Sequence, residues 1–74
     1  MKESLIKILN DIRAGKNLAP VENVNADTKL REDLNLTSFD LAELTVKIED
    51  EFDIDVFEDG LVRTVGEILA KLEA

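Results

Sequence analysis

The sequence predicts an all-α domain. Three stretches repeat apolar residues at helical spacing, hydroxyl residues suited to capping precede two of them, and no period-2 alternation lasts long enough for a sheet. Leu5, Ile8, Leu9 and Ile12 mark a first helix between Glu3 and Arg13, with Gly15 where a helix commonly stops. From Gly15 to Thr37 no period is sustained, and Asn17, Pro20, Asn23, Asn25 and Asp27 punctuate a turn-rich connection. Its apolar residues Leu18, Val21, Val24, Leu30 and Leu34 predict that it packs, with a short turn near Thr28 to Glu32.

A second helix is expected from about Ser38 to Phe52, followed by an extended or turn segment at Asp53 to Val56 and a short helix near Glu58 to Val62. Thr64-Val65-Gly66-Glu67 matches a capping box, in which hydroxyl and carboxylate satisfy each other's backbone N–H groups, and Ile68, Leu69 and Leu72 continue a last helix. Three main helices and a minor one result. At 74 residues the chain makes a single domain, 1–74, with a small core and little room for a deep enzymatic cleft.

Composition excludes much chemistry. There is no cysteine, so no disulfide, thiolate nucleophile or zinc-thiolate site exists, which fits a reducing cytoplasm. There is no histidine either, which removes the usual general base near neutral pH and both Ser-His and Cys-His nucleophilic arrangements. Any serine chemistry must be driven by another protein, and the chain is not expected to be an enzyme.

The net charge of -8 is uneven: residues 1–16 carry four basic and two acidic side chains, residues 17–74 five basic and fifteen acidic. That field repels nucleic acid and anionic membranes and steers basic partners to the acidic part. No segment approaches a membrane span, and charged residues follow Met1 in place of a long apolar run. A monomer in the cytoplasm, without membrane insertion, is expected.

The acids of residues 53–59 superficially resemble a calcium loop, but the register fails. Counting from Asp53, Glu58 stands at the sixth position where glycine is needed, and Thr64 where the bidentate glutamate belongs. No metal site is expected.

The second helix carries more apolar surface than one small core needs. At about 100° per residue from Phe39, the residues Leu41, Leu44, Ile48 and Phe52 fall between roughly 140° and 220° and face the core. Phe39, Ala42 and Val46 fall between roughly 300° and 360° as a second strip, with Glu43 and Asp50 on one flank and Glu49 on the other. Carboxylates around a narrow apolar strip suit a basic partner surface with an apolar centre. Clustered acids are more often a solvated face, but Glu49, Asp50 and Glu51 crowd the negative end of the helix dipole at a cost in stability, which favours recognition. Thr37 or Ser38 is expected to cap this helix, and Thr37-x-x-Asp40 is itself a candidate capping box.

Asp33-Leu34-Asn35-Leu36-Thr37-Ser38-Phe39-Asp40, then Glu43-Leu44, then Ile48-Glu49-Asp50-Glu51-Phe52-Asp53 closely resembles the acyl carrier protein family across nearly the whole chain. That family's pattern is Asp-Leu-Gly-x-Asp-Ser-Leu-Asp, then Glu-Leu, then an acidic run ending Glu-Phe; Thr64-Val65 also looks like the family's opening of its last helix. The resemblance implies a small four-helix bundle with a long first loop. It also implies that Ser38 carries 4'-phosphopantetheine, donated from coenzyme A by a phosphopantetheinyl transferase. Acyl groups would ride on that arm as thioesters and be presented to loading and transferring enzymes of fatty-acid, polyketide or other lipid biosynthesis. The aliphatic core could part to shelter an acyl chain. Phe39, Asp40, Ala42, Glu43, Val46, Glu49 and Asp50 form the expected partner surface. An aminoacyl or peptidyl carrier, of the D-alanyl or nonribosomal peptide type, is the alternative within the class, and an unmodified acidic interaction module the alternative outside it.

Three positions depart from the pattern: Thr37 stands for aspartate, Phe39 for leucine and Asn35 for glycine. Asparagine tolerates the left-handed backbone that glycine often supplies, so the turn before Ser38 should survive. Thr37 removes a negative charge beside the serine, and Lys47 interrupts the acidic face. These departures favour a carrier in a specialised pathway.

Overall fold

The computed structural model describes residues 2–58 and 60–73. Among them the chain is all-helical: α1 spans Lys2–Gly15, α2 Ser38–Phe52 and α3 Val65–Leu72, with a single isolated bridge between Lys29 and Thr64 in place of any strand. The short helix expected near Glu58 to Val62 includes Asp59, which lies outside the described residues; just before it, residues 56–58 form turns.

Helix α1 buries Leu5, Ile8, Leu9 and Ile12 and packs against α2. It ends at Gly15, where the sequence predicts a stop, and the left-handed residue that turns the chain lies two positions further on. Asn17 takes a left-handed φ of 62°, letting Asn17 N–H reach the Ala14 carbonyl at 3.0 Å and Leu18 N–H the Arg13 carbonyl at 2.9 Å. This pairing satisfies carbonyls that a helix end leaves orphaned, with asparagine in the place glycine usually fills.

Residues 16–37 are fastened by polar groups of α1 as well as by apolar anchors. Asn10 holds Val21 reciprocally, its Nδ2 donating to the Val21 carbonyl at 2.9 Å and its Oδ1 accepting the Val21 N–H at 2.8 Å. The buried Arg13 guanidinium donates to the Ala19 carbonyl from Nε and Nη2, and to the Leu34 carbonyl from Nη1 at 2.6 Å. Val24, Leu30, Leu34 and Leu36 join the core, while Leu18 and Val21 are only half-buried. A cation inside a small core is tolerated here because three of its donors find carbonyl oxygens.

The same segment caps α3. Val65 N–H donates to the Thr28 carbonyl at 2.9 Å and Gly66 N–H to the Ala26 carbonyl at 3.0 Å, so the connection satisfies donors that a helix start leaves open. Thr64 and Glu67 add the capping box expected from sequence. Val65, Ile68 and Leu72 then enter the core beside Val56 and Val62.

Candidate functional site

Helix α2 opens at a tight corner. Asn35 adopts a left-handed φ of 60°, which turns the chain out of the core contact of Leu34 into the buried Leu36 and then into Thr37. Thr37 is the cap. Its Oγ1 accepts the Asp40 N–H at 3.2 Å, and Asp40 Oδ2 accepts both the Thr37 N–H at 2.8 Å and the Thr37 hydroxyl at 3.0 Å. From α1, Lys16 Nζ reaches the same Oδ2 at 2.5 Å and the Asn35 carbonyl at 2.6 Å. The Lys16 hydrogen bond, followed by that of the Thr37 N–H, holds the Asp40 carboxyl below the usual aspartate range, against an opposing effect of burial.

Ser38, the first residue of α2, is therefore free of capping duty. It is exposed, and its hydroxyl has no hydrogen bond to any described residue. It opens onto a groove of about 690 Å³ whose walls include Leu41, Ala42, Thr45, Phe57, Leu61 and Val62, with the charged residues Arg31, Glu32 and Arg63 also lining it. The residues present suit a phosphorylated tether: an unpartnered alcohol at the surface, in the first turn of a helix, beside a partly apolar trough.

The expected partner surface is divided by the structure. Phe39 is 82 % exposed and Val46 68 %, and Ala42, Glu43, Glu49 and Asp50 are exposed as well, whereas Leu41, Leu44 and Ile48 are buried on the opposite side. Asp40 does not join the outward strip. It is 8 % exposed, and its carboxylate is turned to Thr37 and Lys16, which removes it from the surface that sequence assigned to partners. Lys47 lies 3.9 Å from Glu43 one turn back, so it offsets that carboxylate. The last turn of α2 holds no basic residue, leaving the dipole's negative end beside Glu49, Asp50 and Glu51.

Sequence reasoning missed Arg31, Leu61 and Arg63 as neighbours of Ser38. They lie in stretches without helical period, and what unites them is the long-range bridge of Lys29 to Thr64, with Leu30 N–H donating to the Arg63 carbonyl at 2.9 Å. Leu61, 83 % exposed, extends the apolar surface beyond α2.

Comparison with known proteins shows the family. The family described as phosphopantetheine attachment site matches residues 5–72. An acyl carrier protein of Chlamydia trachomatis is 37 % identical over 54 residues, covering 70 % of each chain. Acyl carrier protein 3 of Ralstonia nicotianae is 37 % identical over 57 residues, 74 % of this chain and 66 % of the relative. The mitochondrial acyl carrier protein of Saccharomyces cerevisiae is 38 % identical over 66 residues, 82 % of this chain and 53 % of that protein. No solved structure matches. The chain thus belongs to the acyl carrier protein family, non-catalytic carriers that bear a phosphopantetheine prosthetic group.

Proposed function

We propose that Ser38 is the residue to which the prosthetic group is attached, and that the protein presents acyl groups to enzymes of fatty-acid, polyketide or another specialised lipid biosynthesis. The observation carrying this reading is the division of labour between adjacent hydroxyls: Thr37 is committed to the cap, and Ser38 is exposed and unpartnered among the described residues. A transferase can reach the Ser38 oxygen without unwinding α2. In the transfer, Oγ forms a bond to the phosphorus of coenzyme A, the phosphoanhydride bond to adenosine 3',5'-bisphosphate breaks, and the serine proton leaves to the transferase or solvent. When attached, the group supplies a terminal thiol, absent from the chain itself, that carries the acyl group as a thioester.

The chain's own residues then orient and deliver. The first turn of α2 fixes where the tether begins, and Phe39, Ala42 and Val46 offer an apolar strip flanked by Glu43, Glu49 and Asp50 to basic enzyme surfaces. The partners inferred are a phosphopantetheinyl transferase and acyl-loading and acyl-transferring enzymes, met by a monomeric carrier.

We adopt the family's four-helix reading of the fold, with a short helix near Glu58 to Val62 completing the bundle and the connection from Gly15 to Thr37 as the long first loop. No helix among the described residues is long and apolar enough to cross a membrane. Without cysteine the chain needs no oxidising compartment, and the cytoplasm is the location inferred.

Incubation with a fluorescent coenzyme A and a broad-specificity transferase tests the assignment. The wild-type chain should become labelled and Ser38→Ala should not; equal labelling of both would place the attachment elsewhere.

A further inference from the structure

Only five basic residues occur between positions 17 and 74, against fifteen acidic ones, yet two of the five, Arg31 and Arg63, line the groove onto which Ser38 opens. They come from segments 32 residues apart. The chain brings them together by backbone pairing: Lys29 bridges Thr64, Leu30 N–H donates to the Arg63 carbonyl at 2.9 Å, and Val65 N–H to the Thr28 carbonyl at 2.9 Å. Neither guanidinium has a carboxylate partner within 4.0 Å among the described residues, although Glu32 lines the same groove. Two cations without ion pairs, converging in a strongly acidic protein beside an exposed alcohol, mark the groove as a place for an anion.

We infer that Arg31 and Arg63 bind the phosphodiester of the Ser38-linked group, holding the root of the tether in the groove; this rests on the attachment at Ser38. A phosphodiester on Ser38 has its two unesterified oxygens on the phosphorus next to Oγ, and Ser38 lines the same groove as the two arginines. The planar guanidinium donates two parallel N–H groups to such oxygens, a geometry that lysine cannot match. Ser38 is the first residue of α2, so the positive end of the helix dipole lies near the point of attachment. Glu32 opposes the interaction and limits it. Both arginines are exposed, so the hold is screened by salt, and a docking enzyme can release it. The tether is thus fastened at its base when the carrier is free in solution.

The test uses the full chain, loaded from coenzyme A and confirmed by intact mass. In wild-type protein, the Nε–Hε signals of Arg31 and Arg63 should move on loading. The phosphorus resonance should shift as sodium chloride is raised from low to molar concentration, and in the double variant R31Q/R63Q it should coincide with that of a loaded unstructured peptide. Unmoved arginine signals in fully loaded protein, with the same phosphorus resonance in wild type and double variant, would overturn the inference while leaving Ser38 attachment intact. Failure of the wild-type chain to gain mass would instead remove the attachment itself, and the inference with it. Should the double variant load poorly, the wild-type arginine signals still decide.

Discussion

Thr37 and Asp40 satisfy each other at the start of α2: the Thr37 hydroxyl accepts the Asp40 N–H at 3.2 Å, and Asp40 Oδ2 accepts the Thr37 N–H at 2.8 Å. The threonine that departs from the family's aspartate thus does the work of a cap, and the serine beside it is left with no structural task. This arrangement separates stability from modification at adjacent positions.

Thr37→Ala removes the capping hydroxyl and should cost about 1 kcal/mol. In a domain of this size that lowers Tm by roughly 4–8 °C. Ser38→Ala removes an exposed hydroxyl with no partner among the described residues and should stay within about 0.5 kcal/mol of wild type. Thermal unfolding by circular dichroism compares them, and a larger loss from Ser38→Ala would reverse the assignment of the cap.

Gly66 sits where the connection crosses the start of α3. A Cβ there would lie 2.8 Å from the Ala26 carbonyl oxygen and 2.9 Å from the Ala26 Cβ, contacts that require backbone to move. Alanine gains helix propensity of up to about 1 kcal/mol, but overpacking costs about 1–3 kcal/mol. Gly66→Ala should therefore destabilise the protein, read as a lower urea midpoint with an unchanged m-value.

Asp40 has a depressed pKa in the folded protein, chiefly because of Lys16. A carboxyl whose folded value lies below its unfolded one adds stability above the unfolded value, and that stability is lost as pH falls through the folded value. Lys16→Met should accordingly lower stability at pH 7, by about 0.5–1 kcal/mol for a partly exposed pair. The deficit should shrink as acid protonates Asp40 in both proteins, so that denaturation curves taken from pH 7 downward converge. Parallel curves would contradict the role of the ion pair.

Phe39 and Val46 are exposed and should matter to partners more than to folding. Phe39→Ala and Val46→Ala should change stability by no more than about 0.5 kcal/mol. Glu49→Lys combined with Asp50→Lys should slow association with a basic partner enzyme and weaken its dependence on salt. Stopped-flow binding at two ionic strengths reads both effects.

The helices were legible because their signals are local. The 3.6-residue spacing of Leu41, Leu44 and Ile48 fixed the inward face of α2, and both capping boxes could be read from residues three apart. Asn35 was legible as well, since few residues accept a left-handed φ. Contacts between distant segments were not. Lys16 is 24 residues from Asp40, and nothing in the spacing indicates that it would draw that carboxylate inward, so Asp40 read as part of the partner surface. Gly15 read correctly as the end of α1, but that Asn17, two residues on, supplies the left-handed turn was not read. The convergence of Arg31 and Arg63 depends on a bridge between two irregular segments, for which periodicity offers no signal.

The most direct test of the account is to locate the prosthetic group by fragmentation after loading from coenzyme A. The added mass should fall on Ser38, remain there in Thr37→Ala, and vanish in Ser38→Ala while the helical spectrum persists. Added mass on Thr37, or loading of a Ser38→Ala chain that is still folded, would contradict it.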